Sequence, residues 1–495
     1  MTDNYDWAGN IVIDKELEKE LQKAYAPVGA WETDKEVLDV KKKYNFQEVK
    51  VWDSIPGSGK TSKAIEMFNN NYKTKKYIFI TPFLNEVSRV VKACPNLNFK
   101  QPTTSYAYPS KKLHFLHLIE EGSNIASTHS LFLGTGLEMM EALRKSNYVL
   151  VLDEVVSALN KYSLYNKTER RRQTPQQLEN LTRRDIDALI VLGVMSVGET
   201  GNLMWGENKP TLGRYDDLKY VSEHDMLYYI GNKALMWSFP VSVFEKDVFS
   251  DIYILTYQFE SQMLSAYFSY FGLSVTKYYV KEGLADDYVV VPLGDTAPDL
   301  EFRARLKGLI NIVDSEKMNA VGFPDNKKHG FGKLSYTWWQ ERSSDSVDEI
   351  SRNVTNFFKN IAPSERDERM WTVFVDNKKD IKAHGATDRN WVAFNARATN
   401  DFRHKKSLVY LVNRYFSPSI KMFFQSRGVE LDQDAWALSE LLQWLFRSAI
   451  RDGEEVHLYI PSFRMRELLK AYLKNKPLNS IYDNDIARQR ASKDE

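Results

Sequence analysis

Short apolar runs separated by longer amphipathic stretches organise most of this chain. Between residues 46 and 160 the runs Val49-Lys50-Val51-Trp52, YIFITP (77–82), NIAST (124–128) and YVLVLDE (148–154) read as strands. The intervening LNEVSRVVKA and LFLGTGLEMMEALRK carry the pattern of amphipathic helices. Near-continuous apolar strands alternating with such helices predict a parallel sheet covered on both faces. From Lys233 the buried character returns with ALMWSFPVSVF and DIYILTYQFESQML. The last third repeats the alternation. MWTVFVDNKKDI reads as strand then helix, WVAFNARATNDF as strand then polar loop, SLVYLVNRYFSP as strand, and HLYIPSFRMRELLKAYL as strand plus helix.

These patterns divide the chain into a helical, charge-rich N-terminal segment (1–45), an α/β domain (46–262) and a second α/β domain (361–495). Residues 263–360 are read as a connecting or accessory region that can hold the start of the second domain. Residues from about 160 to 235 read as an insertion in the first domain, with Arg170-Arg171-Arg172 and Arg183-Arg184 followed by the Gly/Asn-rich VGETGNLMWGENKPTLGRYDD, a loop or hairpin. The arginines could meet phosphate, although a charge run is more often a solvated face. The stretch 315–350 has the polarity of surface loops, and Lys327, Lys328, His329 and Trp338-Trp339 are expected there.

Composition narrows the partners. At 495 residues the chain can build several cores, and 43% hydrophobic with 27% charged residues excludes wholesale disorder. The formal net charge of +1 means that any nucleic acid must be met by local basic surface rather than a global field. Aromatic residues, 13% of the chain, supply candidate stacking platforms besides core. One cysteine, Cys94, excludes an intramolecular disulfide and a cysteine-cluster zinc site, and reads as a small buried residue. No apolar run approaches the roughly 18 residues of a membrane span, and the start MTDNYDWAGN is acidic and polar. No membrane partner is expected, and the cytoplasm is the expected compartment, that of the bacterial host if the chain is phage-encoded.

Two stretches carry the chemistry. In VKVWDSIPGSGKT a strand breaks into Pro56-Gly57-Ser58-Gly59-Lys60-Thr61 and then into a helix, the order of a phosphate-binding loop. Glycines let backbone N–H groups curl around phosphate oxygens, Lys60 reaches the β- and γ-phosphates, and the Thr61 hydroxyl ligates Mg²⁺. The consensus asks for glycine at position 54, where this chain has Ser54. About 90 residues later the strand YVLVLDE ends in Asp153-Glu154, which places two carboxylates at the edge of an open α/β sheet where ligands sit. Asp153 is the candidate metal ligand and Glu154 the group that orients the attacking water. Thr81-Pro82 and Thr128-His129 follow two of the strands and are candidates to grip a sugar-phosphate backbone, or simply to cap the next helices. In DAWALSELLQWLFRSAIRDGEE, Gln443, Arg447 and Arg451 fall at i, i+4 and i+8 and so on one face of a predicted helix.

With these residues in view, the chain resembles the helicases and translocases with two RecA-like domains of superfamilies one and two, and is most similar to compact DEAD-like helicases of phages and prophages. The resemblance spans roughly 46 to 475. It rests on Gly57 to Thr61, on Asp153-Glu154, on Gln443, Arg447 and Arg451 as a motif-VI-like set, and on Asn395 to Asp401 (including Thr399 and Asn400) as a motif-V-like loop. Thr256-Tyr257 with Gln258, Glu260 and Gln262 stands where such proteins carry motif III. The resemblance implies an α/β fold of two RecA-like P-loop domains with parallel sheets, and ATP and Mg²⁺ between them. It also implies Arg447 and Arg451 reaching across from the second domain, Arg447 as the finger. Nucleic acid, single-stranded DNA ahead of RNA, would be the track, with a replication or loading protein as a further partner. The alternative is a DNA-packaging or defence ATPase that does not unwind. Asn377-Lys378-Lys379-Asp380 fits a guanine-binding pattern but lies too far from the loop at residues 54–61, and is taken as coincidence.

Overall fold

In the computed structural model, residues 44–481 are described, apart from 133–136, 155–156, 165–178, 210–214, 231, 284–286, 295–298, 325–330 and 396–400. The helical segment expected over 1–45 lies almost wholly outside these residues, as do Arg170-Arg171-Arg172, Lys327, Lys328, His329, Thr399 and Asn400. Among the described residues no helix is long and apolar enough to cross a membrane.

The chain is α/β and built around two sheets. The larger has seven strands, β1 (Val49–Asp53), β2 (Lys76–Thr81), β3 (Ile125–Thr128), β4 (Tyr148–Asp153), β5 (Phe249–Thr256), β6 (Val275–Glu282) and β7 (Tyr288–Pro292), in the spatial order β7-β6-β1-β5-β4-β2-β3. All neighbours are parallel except β6 and β7. The strands at its centre are buried on both sides, as their unbroken apolar sequences require: every residue of β4 is buried. One core lies on each face, with Ile78, Ile80 and Leu150 in one and Phe79, Val149 and Val151 in the other. Alternate residues of one strand thus serve opposite faces.

The smaller sheet has the parallel strands β8 (Ile310–Ile312), β9 (Arg369–Thr372), β10 (Ser407–Tyr410) and β11 (Val456–Tyr459), ordered β8-β11-β10-β9, with its own core. The stretch 263–360 is shared between the two sheets. β6 and β7 extend the first sheet beside β1, and β8 pairs with the last strand of the second. Three expectations for this half are corrected. A single 3-10 turn, Val375–Asn377, follows β9 in place of a helix, and Trp391 makes only an isolated bridge to Trp371 in place of a strand. Trp338 and Trp339 are buried core residues, and the Trp339 indole donates to Leu411 O at 3.1 Å.

Residues 160–235 form small antiparallel pieces, including the hairpin Met195–Val197 with Leu203–Trp205, and pack into the same core as the large sheet. A segment of the second half closes over them: Phe423 meets Tyr228 and Trp237 edge-on, and Arg427 lies over Phe423 at 4.0 Å. Arg183 pairs with Asp187 within its own helix. The coincidental Asn377–Asp380 pattern is likewise local, with the Asn377 amide donating to Asp380 at 3.0 Å.

Candidate functional site: a cleft between the two sheets

At the carboxyl edge of β1 the chain turns through Ser54 to Gly59 and enters helix α1 (Lys60–Asn70). Gly57 and Gly59 both have φ of +85°, a region that side chains rarely adopt. At Gly59 a Cβ would also collide with the Tyr288 ring. Ser58 N–H closes the turn onto Ile55 O at 3.2 Å, and Lys63 N–H bonds Gly59 O at 2.8 Å. Ser54, the departure from the glycine consensus, is wholly buried, and its hydroxyl accepts the Val280 N–H of β6 at 2.7 Å. The hydroxyl thus ties the loop to the neighbouring strand. Ser54→Ala removes that acceptor and is expected to cost about 1–3 kcal/mol. Denaturant unfolding would show it, and a change below about 0.5 kcal/mol would mean that Val280 finds another acceptor.

Lys60, Thr61, Asp153 and Glu154 converge. The Lys60 ammonium donates to Ser54 O at 2.6 Å and Ile55 O at 2.9 Å, and the Thr61 hydroxyl donates to Asp153 Oδ2 at 3.0 Å. Burial pushes the Asp153 carboxyl up to about 7, the adjacent Glu154 charge adds to this, and the Thr61 hydrogen bond opposes it. Burial also pulls Lys60 down to about 8, against the attraction of Asp153, Asp53 and Glu154. A buried carboxylate held this high, beside a hydroxyl that it already contacts, fits a divalent cation: the donors are hard oxygens and a cation would restore the charged form. Glu154 has a left-handed backbone, φ 60°, fixed by its N–H bond to Leu255 O at 2.9 Å. Such a conformation in a residue other than glycine costs about 1–3 kcal/mol and is concentrated at functional sites.

Sequence reasoning passed over Asp53, the last residue of β1. Its carboxylate accepts the backbone N–H of Gln258 at 2.7 Å and of Phe259 at 3.0 Å, holding the turn after β5, where Gln258 has φ 56°. The acid at the end of the strand before the loop was the available signal. In the same turn Gln262 donates to Thr256 Oγ1 and Tyr257 O, both at 2.8 Å, and Glu260 pairs with Lys277 at 2.7 Å.

The second sheet supplies the opposite wall. Helix α4 (Gln433–Leu445) carries Gln443, but it stops at Leu445, so one continuous helical face for Gln443, Arg447 and Arg451 is corrected. Arg447 lies in the turn that follows and Arg451 in the 3-10 turn Ala449–Asp452. The bend still brings all three to a cleft of about 270 Å³ that is also lined by Pro56, Gly57, Gly59, Lys60, Thr61, Asp153 and Glu154. Arg447 is 5% exposed. Arg451 is near enough for its charge to lower the proton affinity of Lys60. Glu86, Arg89, Tyr257 and Tyr288, which the sequence reading did not place in this site, also line the cleft. Arg89 bonds Glu86 at 3.0 Å and Ser62 Oγ at 3.2 Å.

Beside the cleft a buried polar cluster joins the two halves. The Tyr257 hydroxyl donates to Asp299 at 3.0 Å and bonds the Tyr472 hydroxyl of helix α5 (Phe463–Leu473), while Arg303 pairs with Asp299 and lies over the Tyr472 ring. Burial, with the Tyr472 and Asp299 charges, holds the Tyr257 hydroxyl well above its ordinary pKa, so it stays a donor.

The strand-contact candidates lie elsewhere on the same sheet edge. Thr81 and Thr128 are register partners at the ends of β2 and β3. Thr81 is 1% exposed, Pro82 is half-buried, His129 is buried, and Thr128 lines a separate groove.

Comparison with known proteins places the chain. Residues 176–237 match the family model of the YonV middle domain, and residues 304–473 that of the YonV C-terminal Rossmann-like domain. The SPbeta prophage-derived protein YonV of Bacillus subtilis (strain 168) is 31% identical over 440 residues, which covers 87% of this chain and 100% of that protein. Among solved structures, Xpd4 of S. tokodaii aligns over 92% of this chain and 96% of its own, at 11% identity and a TM-score of 0.38. The helicase MrfA bound to DNA and AMPPNP aligns over 96% of this chain and 53% of its own, at 11% identity and a TM-score of 0.28. On the full-length match to the Bacillus protein and the two domains found in order, the chain belongs to the YonV family.

Proposed function

We propose that this protein is an ATP hydrolase that uses the cleft between its two sheets to drive movement along a nucleic-acid strand, as a helicase or translocase. The observation that carries this is the meeting in one cleft of a phosphate-binding loop, an Asp-Glu pair and two arginines from the opposite half. The loop amides and Lys60 hold the β- and γ-phosphates. Thr61 and Asp153 are the residues that would hold Mg²⁺, which when bound supplies positive charge to the phosphates. Glu154 orients the water and takes its proton as the γ-phosphoryl group leaves ADP, and Arg447 and Arg451 meet the charge spread over the transferring group. Thr81, Pro82, Thr128 and His129, with Thr399 and Asn400 of the motif-V-like loop, are assigned to the nucleic-acid path. Single-stranded DNA is the favoured track, and the prophage origin of the Bacillus relative supports a phage setting.

Phosphate release by wild type and Lys60→Ala, each with and without single-stranded DNA, RNA and duplex DNA, tests this reading. Wild-type turnover is expected to rise several-fold with a single strand and to vanish in the variant. Turnover indifferent to every nucleic acid would remove the motor and leave an ATPase acting on a protein.

A further inference from the structure

Leu84, Tyr106 and Leu113 are three of the large hydrophobic side chains that the described chain leaves exposed, and they cluster around one groove. The groove, about 210 Å³, lies at the carboxyl ends of β2 and β3 and is lined by Leu84, Gln101, Lys111 and the hydroxyl-bearing Ser127, Thr128 and Ser130. The loop from Pro102 to Ser110 rims it, since residues on either side of that loop line the groove. At its tip Tyr106 is exposed over its whole side chain, with a relative accessibility of 106%.

That exposure is not the looseness of an unheld loop. Ser105 N–H donates to Tyr108 O at 2.9 Å, and Tyr108 N–H returns to Ser105 O at 3.2 Å and to Ser105 Oγ at 3.1 Å. Tyr108 stacks on His114 of helix α3 (Lys111–Glu120), with centroids 4.5 Å apart and planes 7° from parallel. Thr103 N–H is received by the same imidazole at 2.9 Å. One tyrosine anchors the turn and the other is presented to solvent. An aromatic ring held rigid and bare gives up no rotamer-rich loop entropy when it is covered, and its flat face takes any base.

We propose that this groove binds single-stranded nucleic acid, with Tyr106 as a platform on which one unstacked base lies and with Lys111 and the Thr128 and Ser130 hydroxyls receiving the adjoining phosphates. The ligand class follows from the mixture: one cation with several hydroxyls suits a sugar-phosphate backbone, and a bare ring beside them suits an unpaired base. The proposal rests on the nucleic-acid part of the function proposed above and assigns it a recognition residue.

The test is fluorescence anisotropy of a labelled oligothymidine of about 20 nucleotides, and of the matching duplex, with the full-length chain. Tyr106→Ala is expected to weaken the single-strand Kd about ten-fold or more, Tyr106→Trp to restore it, and Lys111→Ala to flatten the salt dependence by about 0.7 in log–log slope. Tyr336→Ala, at an exposed tyrosine of the other half, serves as the control and keeps wild-type affinity. Thermal melting establishes that each variant is folded. Wild-type binding that Tyr106→Ala leaves intact overturns the platform while sparing the motor. An equal loss on duplex and single strand overturns base stacking. If the wild type binds neither oligonucleotide, the groove serves a protein and the nucleic-acid reading falls with it.

Discussion

Glu154→Gln is expected to bind nucleotide and hydrolyse it about 10²–10⁴-fold more slowly than wild type, with KM changed no more than about threefold. Glutamine keeps the volume and one acceptor oxygen but loses the basicity needed to take a proton from water. Binding should survive because the phosphate contacts belong to other residues. The loop amides, Lys60 and Thr61 lie on α1 and the turn before it, while Glu154 ends the neighbouring acidic strand. The left-handed backbone at 154 is fixed by a main-chain bond to Leu255 and does not depend on the carboxylate. Removing the Glu154 charge also removes one of the two chief influences that raise Asp153, so the remaining carboxylate becomes easier to ionise. Phosphate release under steady-state and single-turnover conditions separates binding from chemistry. A kcat within about threefold of wild type would assign the water to another base, and Glu86, which also faces the cleft, would be the next residue to examine.

The parts of this site that were legible in the sequence are those whose function needs consecutive residues. Gly57 to Thr61 and Asp153-Glu154 each sit where a buried apolar strand ends, and the strand pattern that announces them is the pattern that buries them. What could not be read is set by partners far away in the chain. Nothing near Ser54 tells that its hydroxyl would find Val280, because the placing of β6 beside β1 depends on the whole sheet. Tyr288 is legible as a strand residue but not as a neighbour of Gly59. Trp338 and Trp339 read as surface because polar residues flank them, yet the core of the second sheet absorbs both. The end of α4 is the most instructive case. No glycine or proline interrupts Leu445 to Arg451, so periodicity runs straight through. The helix ends because the Ser448 hydroxyl bonds Leu445 O at 2.6 Å and Ala449 N–H is drawn to Lys405 O at 3.0 Å. A local side-chain bond and a distant carbonyl compete with the helical ladder and win.

That bend decides where the arginines act, and Arg447→Ala is expected to lower kcat about 10³-fold or more while leaving nucleotide affinity nearly intact. Arg447 is held in the turn after α4, 5% exposed, on the wall opposite Lys60 and Asp153. A fixed guanidinium of this kind meets charge that develops on the transferring group, with little reorganisation at the moment of reaction. Arg447→Lys should not restore the rate, because an ammonium offers a point charge where a planar fork of donors is required. Arg451 is exposed at the cleft and acts through its charge, so Arg451→Ala should cost less, about ten-fold, and the deficit should grow with ionic strength least of all where Arg447 is intact. Because Arg447 is buried, melting curves must accompany the kinetics, and Arg447→Lys, which preserves most of the side chain, guards against mistaking a packing defect for lost chemistry. A larger loss at Arg451 than at Arg447, or full rescue by lysine, would move the finger to position 451. The cleft would then work through a long-range field rather than through a buried fork, and the bend after Leu445 would serve packing alone.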